Sequence, residues 1–317
     1  MDIDGIRKAI LENVAASPAR LTPRYLEKTI LETYGFDKTR AKAVLKDLVA
    51  RGRLEYTYEF GSTYLVRSFS EPVRISRHVV VRPPGRRYQP APDDVVIQIK
   101  PGAAFGDGRH PTTRLSVKAI EFLLKEVRPD WLNRNSSVLD IGTGSGILAL
   151  AAVCLGVKKG LAIDTDPCAI AEARENVTLN HLAGQLVVSD RKLDTINSSF
   201  SMVIANLRYP SLKNVYHRIT RLTDISGGVV ISGFRPHERD DLLDLYTAKY
   251  FRCIWTVNES DWAAAVLKKI EQTGEAIFSD NYKIRNEEQS ALLKKRPANG
   301  RCRPFYNSIC YYSLFVF

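Results

Sequence analysis

The feature that most constrains the fold is Val138-Leu139-Asp140-Ile141-Gly142-Thr143-Gly144-Ser145-Gly146. An apolar lead ends in an acidic residue, three alternating glycines follow, and the apolar run Ile147 to Leu155 comes next. That order reads as a buried strand, a tight turn and a helix. Glycine lacks a Cβ, so backbone can approach a ligand closely and adopt turns closed to other residues. A dinucleotide fingerprint would place its third glycine where this chain has Ile147. Here the third glycine is Gly146, and Asp140 lies two residues before the first. A pyrophosphate favours the positive end of a helix dipole. A carboxylate at Asp140 instead suits a ligand that carries an ammonium group.

Around this turn, strand and helix patterns alternate from Val95 onward. Strands are expected at Ser137 to Asp140, Gly160 to Asp164, Gln185 to Ser189, Ser201 to Ala205 and Gly228 to Ser232. Helices are expected at Ser145 to Leu155 and Pro167 to Leu182. Near-continuous apolar strands separated by helices predict an α/β fold with a parallel sheet covered on both faces. Tyr250 to Thr256 and Ala263 to Lys268, joined around Asn258-Glu259-Ser260, read as a closing antiparallel pair.

The N-terminal part is different. Ile3, Ile6, Ile10, Leu11 and Val14 form a helical stripe, Thr22-Pro23 opens a second helix that Gly35 ends, and Asp37 opens a third that Gly52 stops. Leu54 to Phe60 and Thr63 to Val66, joined by Gly61-Ser62, read as a hairpin. Three helices and a hairpin resemble a small winged-helix (α+β) domain. The resemblance implies that Lys38, Arg40, Lys42, Lys46, Arg51 and Arg53 face a partner. Residues 1–90 carry 17 basic and 10 acidic side chains, whereas residues 91–269 carry 22 and 20. The excess points residues 1–90 at an anionic partner, whether nucleic acid, ribonucleoprotein or an acidic protein surface, unless it is only a solvated face. The basic, proline-rich stretch Arg82 to Pro92 is the expected linker. The expected organisation is thus a winged helix at 1–80, a linker at 81–94, a ligand-binding domain at 95–269 and a C-terminal tail at 270–317.

Bulk properties exclude several classes. Hydrophobic content of 44% and charged content of 26% are ordinary for a soluble chain. No run approaches the roughly 18 apolar residues that span a bilayer, and the acidic start Met1-Asp2-Ile3-Asp4 lacks an apolar signal region. A cytoplasmic protein without membrane contact is expected. The five cysteines are odd in number and show no metal-ligand spacing, so neither a disulfide framework nor a metal site is expected.

In an open parallel sheet, ligands sit beyond the carboxyl ends of the strands at the switch point. Asp140, Gly142, Gly144 and Gly146 lie at the first such end. Asp164, 22 residues after Gly142, stands near the interval at which an acid meets a ribose diol. Asp166-Pro167 reads as the cap of the next helix. Asp190 ends the third strand, where it either faces an adenine edge or is a plain turn residue. Asn206 ends the fourth, where its amide oxygen can orient an incoming amine without removing a proton, or can cap the turn.

Four motifs in order carry a resemblance. Pro101-Gly102-Ala103-Ala104-Phe105-Gly106-Asp107-Gly108-Arg109-His110-Pro111-Thr112-Thr113 resembles the Phe-Gly-Thr-Gly-x-His-Pro-Thr-Thr signature of the PrmA family, bacterial methyltransferases of a large-subunit ribosomal protein. Asp140 to Gly146, Ile163 to Pro167 and Ala205-Asn206-Leu207 extend it over about residues 95 to 268. The resemblance implies a Rossmann-like seven-stranded methyltransferase sheet, S-adenosyl-L-methionine as cofactor, and N-methylation of a lysine or terminal amine of a protein substrate. It implies that Thr113, Gly142, Asp164 and Asn206 line the cofactor, with Asn206 beside the methyl group as the catalytic residue. The chain departs from the signature at Asp107 and after the asparagine at Arg208-Tyr209, and by a winged helix where that family has a ferredoxin-like domain. Two other readings remain open at this point: a nucleic-acid methyltransferase docked by the winged helix, and a cofactor-sensing transcriptional regulator. His110, beside Pro111 and Thr112, reads as a structural hydrogen-bonding group more than a general base.

Overall fold

Asp2, Thr22 and Asp37 each accept a first-turn backbone N–H, satisfying donors that have no partner inside a helix. They start α1 (Ile3–Ala16), α2 (Pro23–Tyr34) and α3 (Lys38–Ala50) in the computed structural model, which describes residues 2–17, 21–59 and 61–271. Gly35 closes α2 in the left-handed region, with φ at 65°. β1 (Leu54–Glu59) and β2 (Ser62–Arg67) then pair antiparallel. Ser62 lies opposite Glu59, so it begins the second strand, one residue earlier than the turn read from Gly61-Ser62. A bridge between Leu21 and Leu65 ties the segment before α2 to the hairpin. Ile6, Ile10, Leu26, Ile30, Val44, Leu45, Leu48 and Leu65 form a separate small core, as a winged helix requires.

The expected linker is anchored at both ends. β3 (Val73–Arg74) pairs antiparallel with β4 (Val79–Arg82), and β4 pairs parallel with β5 (Val95–Gln98). Residues 81–94 therefore run from one paired strand to its neighbour, and the boundary read at residue 80 falls inside β4. Asp94 pins the loop: its carboxylate accepts from Arg74 at 2.6 and 2.7 Å, from the Tyr88 hydroxyl at 2.6 Å and from the Ala91 N–H at 3.0 Å. The Tyr88 and Arg74 bonds hold that carboxyl down to about 2. Prolines had marked the stretch as irregular, but irregular backbone is not the same as free backbone.

The remaining elements are α4 (Pro111–Glu121), continued by a π-helical turn at Phe122–Val127, then β6 (Ser137–Ile141), α5 (Ile147–Cys154), β7 (Lys159–Ile163), α6 (Pro167–Leu179), β8 (Leu186–Ser189), β9 (Phe200–Asn206), α7 (Tyr209–Leu222), β10 (Thr223–Phe234), α8 (Arg239–Thr247), β11 (Phe251–Glu259) and β12 (Trp262–Lys269). Seven strands lie in the order β11-β12-β10-β9-β6-β7-β8. Only β12 runs against its neighbours. Val138 joins the core built with α4, α5 and α6, whereas Leu139 joins the core built with α7 and α8. Strand residues that alternate between two apolar layers explain the continuous hydrophobic runs. The final hairpin turns at Ser260 and Asp261, both left-handed with φ of 48° and 62°, slightly later than the sequence suggested.

Order reverses between β6 and β9, so the crevice at their carboxyl ends is the switch point. No helix among the described residues is long and apolar enough to cross a membrane, and no group of metal-ligating side chains is found among them. Most of the tail expected at 270–317 lies outside the described residues.

Candidate methyl-donor site

β6 delivers Asp140 to the switch point with its side chain fully buried. One carboxylate oxygen, Oδ2, accepts from the Thr143 hydroxyl at 2.7 Å and the Ala149 N–H at 3.2 Å. The other, Oδ1, is buried and has no hydrogen-bond partner among the described residues. Burial pushes this carboxyl up to about 6, against the two hydrogen bonds and with a small further push from Asp164. An unpartnered buried oxygen is costly, so a cationic donor from a ligand is its natural complement.

Gly142, Gly144 and Gly146 all take positive φ, at 72°, 55° and 86°. A Cβ on Gly142 would lie 2.7 Å from Leu207 Cδ2, and one on Gly144 would run into the carbonyl oxygen of Phe105. Smallness at these positions therefore serves the packing of the turn against the 101–113 segment and the β9 exit. Ser145 completes the seal by donating its N–H to Phe105 O at 2.9 Å and its hydroxyl to Gly106 O at 2.6 Å.

Asp164, just past β7, is half-buried and already engaged by backbone. Its Oδ2 accepts from Gly144 N at 2.9 Å, and its Oδ1 from Thr165 N at 2.7 Å and Asp166 N at 3.0 Å. A carboxylate has about four acceptor positions, so a hydroxyl can still be received. Asp166 caps α6 through Cys168 N at 2.9 Å, the structural role its sequence context suggested. Asp190 lies exposed beyond β8 and makes no side-chain hydrogen bond among the described residues.

Asn206 ends β9, half-buried, with no side-chain hydrogen bond among the described residues. Its register partner Ser232 donates to Ala263 O at 2.9 Å and reaches Thr112 O at 3.4 Å, which draws the first turn of α4 toward the same crevice. Thr113 in that turn is fully buried, and its Oγ1 also lacks a partner among the described residues. His110 caps α4: its Nδ1 accepts from Thr112 N at 3.2 Å and stands 2.8 Å from the Thr112 hydroxyl. The imidazole meets Trp262 edge-on at 5.0 Å and Phe105 at 5.1 Å, and the Arg235 guanidinium covers Trp262 at 3.7 Å. Tyr209 is turned to α8, where its hydroxyl donates to Asp241.

Several contributors escaped the sequence reading. Glu172 accepts from Ala103 N at 2.8 Å and Ala104 N at 3.0 Å. Asn176, fully buried, donates to Ser145 O at 2.8 Å and accepts from Lys100 N at 2.9 Å. Asn180 pairs with both Gln98 N, at 2.8 Å, and Gln98 O, at 2.7 Å. Glu172 and Asn176 on α6 and Asn180 at its C-terminal cap recur every four residues, so one polar stripe clamps the strand and loop that precede α4. That spacing was the available signal. Trp262 carried none beyond being aromatic.

The family model for "Ribosomal protein L11 methyltransferase (PrmA)" matches residues 65–270, more than half of the sequence. The chain belongs to this family. It is 32% identical over 255 residues to the ribosomal protein L11 methyltransferase of Heliobacterium modesticaldum, covering 76% of this chain and 78% of that protein. It is 36% identical over 197 residues to that of Geobacter metallireducens, covering 62% of each. The crystal structure of a ribosomal protein L11 methylase from Lactobacillus delbrueckii subsp. bulgaricus superposes with a TM-score of 0.56 at 28% identity, covering 63% of this chain and all of that one. PrmA membership makes the seven-stranded domain a class I methyltransferase dependent on S-adenosyl-L-methionine. The PrmA match begins within β2, so α1, α2, α3 and β1 lie outside it.

Proposed function

We propose that this PrmA-family chain methylates an amine nitrogen of a protein, a lysine side chain or a terminal amine, in the cytoplasm. Two buried, unpartnered oxygens at one switch point carry the reading: Asp140 Oδ1 and Thr113 Oγ1. Both suit a ligand with an amino-acid end, and the glycine turn between β6 and α5 offers the backbone approach it needs. Asp140 would hold the cofactor's ammonium, Thr113 and the Gly142, Gly144 and Gly146 turn would line its methionine end, Asp164 would receive the ribose hydroxyls, and Asp190 would border the adenine. When bound, S-adenosyl-L-methionine supplies an electrophilic methyl group on a sulfonium.

Asn206 acts on the acceptor. Its amide oxygen accepts an N–H of the incoming amine and so directs the lone pair, a contribution of alignment rather than of proton transfer. The acceptor amine sheds its proton to water before attack. Phe105, His110 and Trp262 form an aromatic group at the start of α4.

The test is transfer of labelled methyl groups from S-adenosyl-L-methionine to a cell lysate, with protease- and RNase-treated fractions compared. Label lost with protease supports the reading, and label lost with RNase, or no label, contradicts it.

One observation favours a second reading in which nucleic acid is bound as well. Lys38, Lys42 and Lys46 repeat every four residues on α3, all exposed and without an ion pair among the described residues. Such a stripe suits phosphates. A salt-sensitive shift of duplex by the full chain tests it.

A further inference from the structure

Residues 101–110 touch two parts of the molecule at once. On one side the loop lies on the glycine turn, through the Ser145 contacts to Phe105 O and Gly106 O at 2.9 and 2.6 Å. On the other side the winged helix reaches it. Arg109 Nη1 stands 2.7 Å from Glu55 Oε1 of β1, and Arg109 Nε stands 2.9 Å from Asp107 Oδ2. Asp107 Oδ1 also accepts the Arg109 N–H at 3.0 Å. Ser68 donates to the second oxygen of Glu55 at 3.0 Å, which fixes that carboxylate while leaving Oε1 to the guanidinium. Beside this bridge Phe69, just beyond β2, lies against Gly108, where a Cβ would come 3.1 Å from the ring. Arg114 of α4 holds the Arg109 carbonyl from behind.

A planar guanidinium serves two carboxylates at once through donors held in a fixed fork. Glu55 lies outside the residues that the family model matches, whereas Asp107 and Arg109 lie within them. We infer that Glu55 and Arg109 are positioning residues, through which the winged helix holds the 103–109 loop closed on the glycine turn and so sets the affinity for the methyl donor. The inference rests on the reading of that turn as the donor pocket. Each ion pair is partly exposed and individually weak. A loop poised between open and closed needs only a small bias to change a ligand's affinity severalfold.

The test uses the full chain and the variants Glu55→Gln, Arg109→Met and the pair together. Binding of S-adenosylhomocysteine is measured by calorimetry, and amide hydrogen exchange is followed in the ligand-free protein. Expected are affinity weaker by about 5-fold or more in Glu55→Gln and faster exchange confined to residues 103–109. The double variant should be no weaker than Arg109→Met, because both changes break one bridge. Wild-type affinity and wild-type loop exchange in Glu55→Gln would overturn the inference. So would exchange accelerated equally across β6 and α6, which would mark a general loss of stability. Should the wild type bind no S-adenosylhomocysteine, the pocket reading fails by itself, and loop exchange still decides whether the bridge holds the loop.

Discussion

Asp140, one residue before the end of β6, and Asn206, the last residue of β9, lie on neighbouring parallel strands: Asp140 lies beside Ile204, and Ile141 beside Ala205, so Asn206 follows one step further along the same crevice. The two side chains differ in a way that fits a division of labour. Asp140 is sealed beneath the glycine turn, while Asn206 stays half-exposed and unengaged among the described residues.

Replacing Asn206 by Ala should therefore cost turnover more than binding. A drop in kcat of about 100-fold or more is expected from the lost alignment, with the Kd for S-adenosylhomocysteine changed less than about 5-fold. Steady-state kinetics beside calorimetry separates the two. Equal losses in both would move Asn206 from acceptor to donor binding.

Asp140 predicts a pH signature. Its folded carboxyl, raised to about 6 from 3.8, holds a proton more tightly than the unfolded chain does. Stability should then fall as pH rises between about 4 and 6 and level off above, by about 3 kcal/mol in all. Asp140→Asn should match wild type near pH 4 in both stability and affinity for S-adenosylhomocysteine, and at pH 8 should exceed it in denaturant midpoint while losing affinity. If the ionised carboxylate holds the ammonium as proposed, that affinity in wild type should rise with pH up to about 6 and then flatten.

Gly144→Ala confronts two obstacles at once, a φ of 55° and the Phe105 carbonyl. A loss of about 2–4 kcal/mol is expected in urea unfolding, together with faster proteolysis between residues 101 and 110. A neutral result would mean that the loop does not rest on the turn.

On the winged helix, Lys38→Ala, Lys42→Ala and Lys46→Ala combined should lower the salt dependence of duplex binding by a slope of about 3 if these lysines meet phosphates. Methyl transfer to a protein acceptor should persist. An unchanged slope would remove α3 from any nucleic-acid interface.

Much of this was readable in the residues, for identifiable reasons. Strands such as Phe200–Asn206 are apolar on both faces because both faces are covered, so hydrophobic continuity alone exposes them. Thr22, Asp37 and Asp166 announce helix starts by local capping chemistry that needs no tertiary context. What depends on distant partners was hidden. The parallel pairing of Val79–Arg82 with Val95–Gln98 joins segments on either side of a proline-rich loop, and composition there reports only irregular backbone. Asp164 reads as a free ribose acceptor until the fold shows three backbone N–H groups on it. Glu172 and Asn176 act on residues about 70 and 30 positions upstream, at Ala103 and Ser145, a distance no local pattern encodes.

The most direct measurement is mass-spectrometric mapping of methyl groups on proteins incubated with S-adenosyl-L-methionine and either wild type or Asn206→Ala. The account predicts methyl increments on lysine ε-amines or N-terminal amines with wild type, and their near absence with the variant. Methylation confined to nucleic-acid bases, or equal methylation by both proteins, would contradict it.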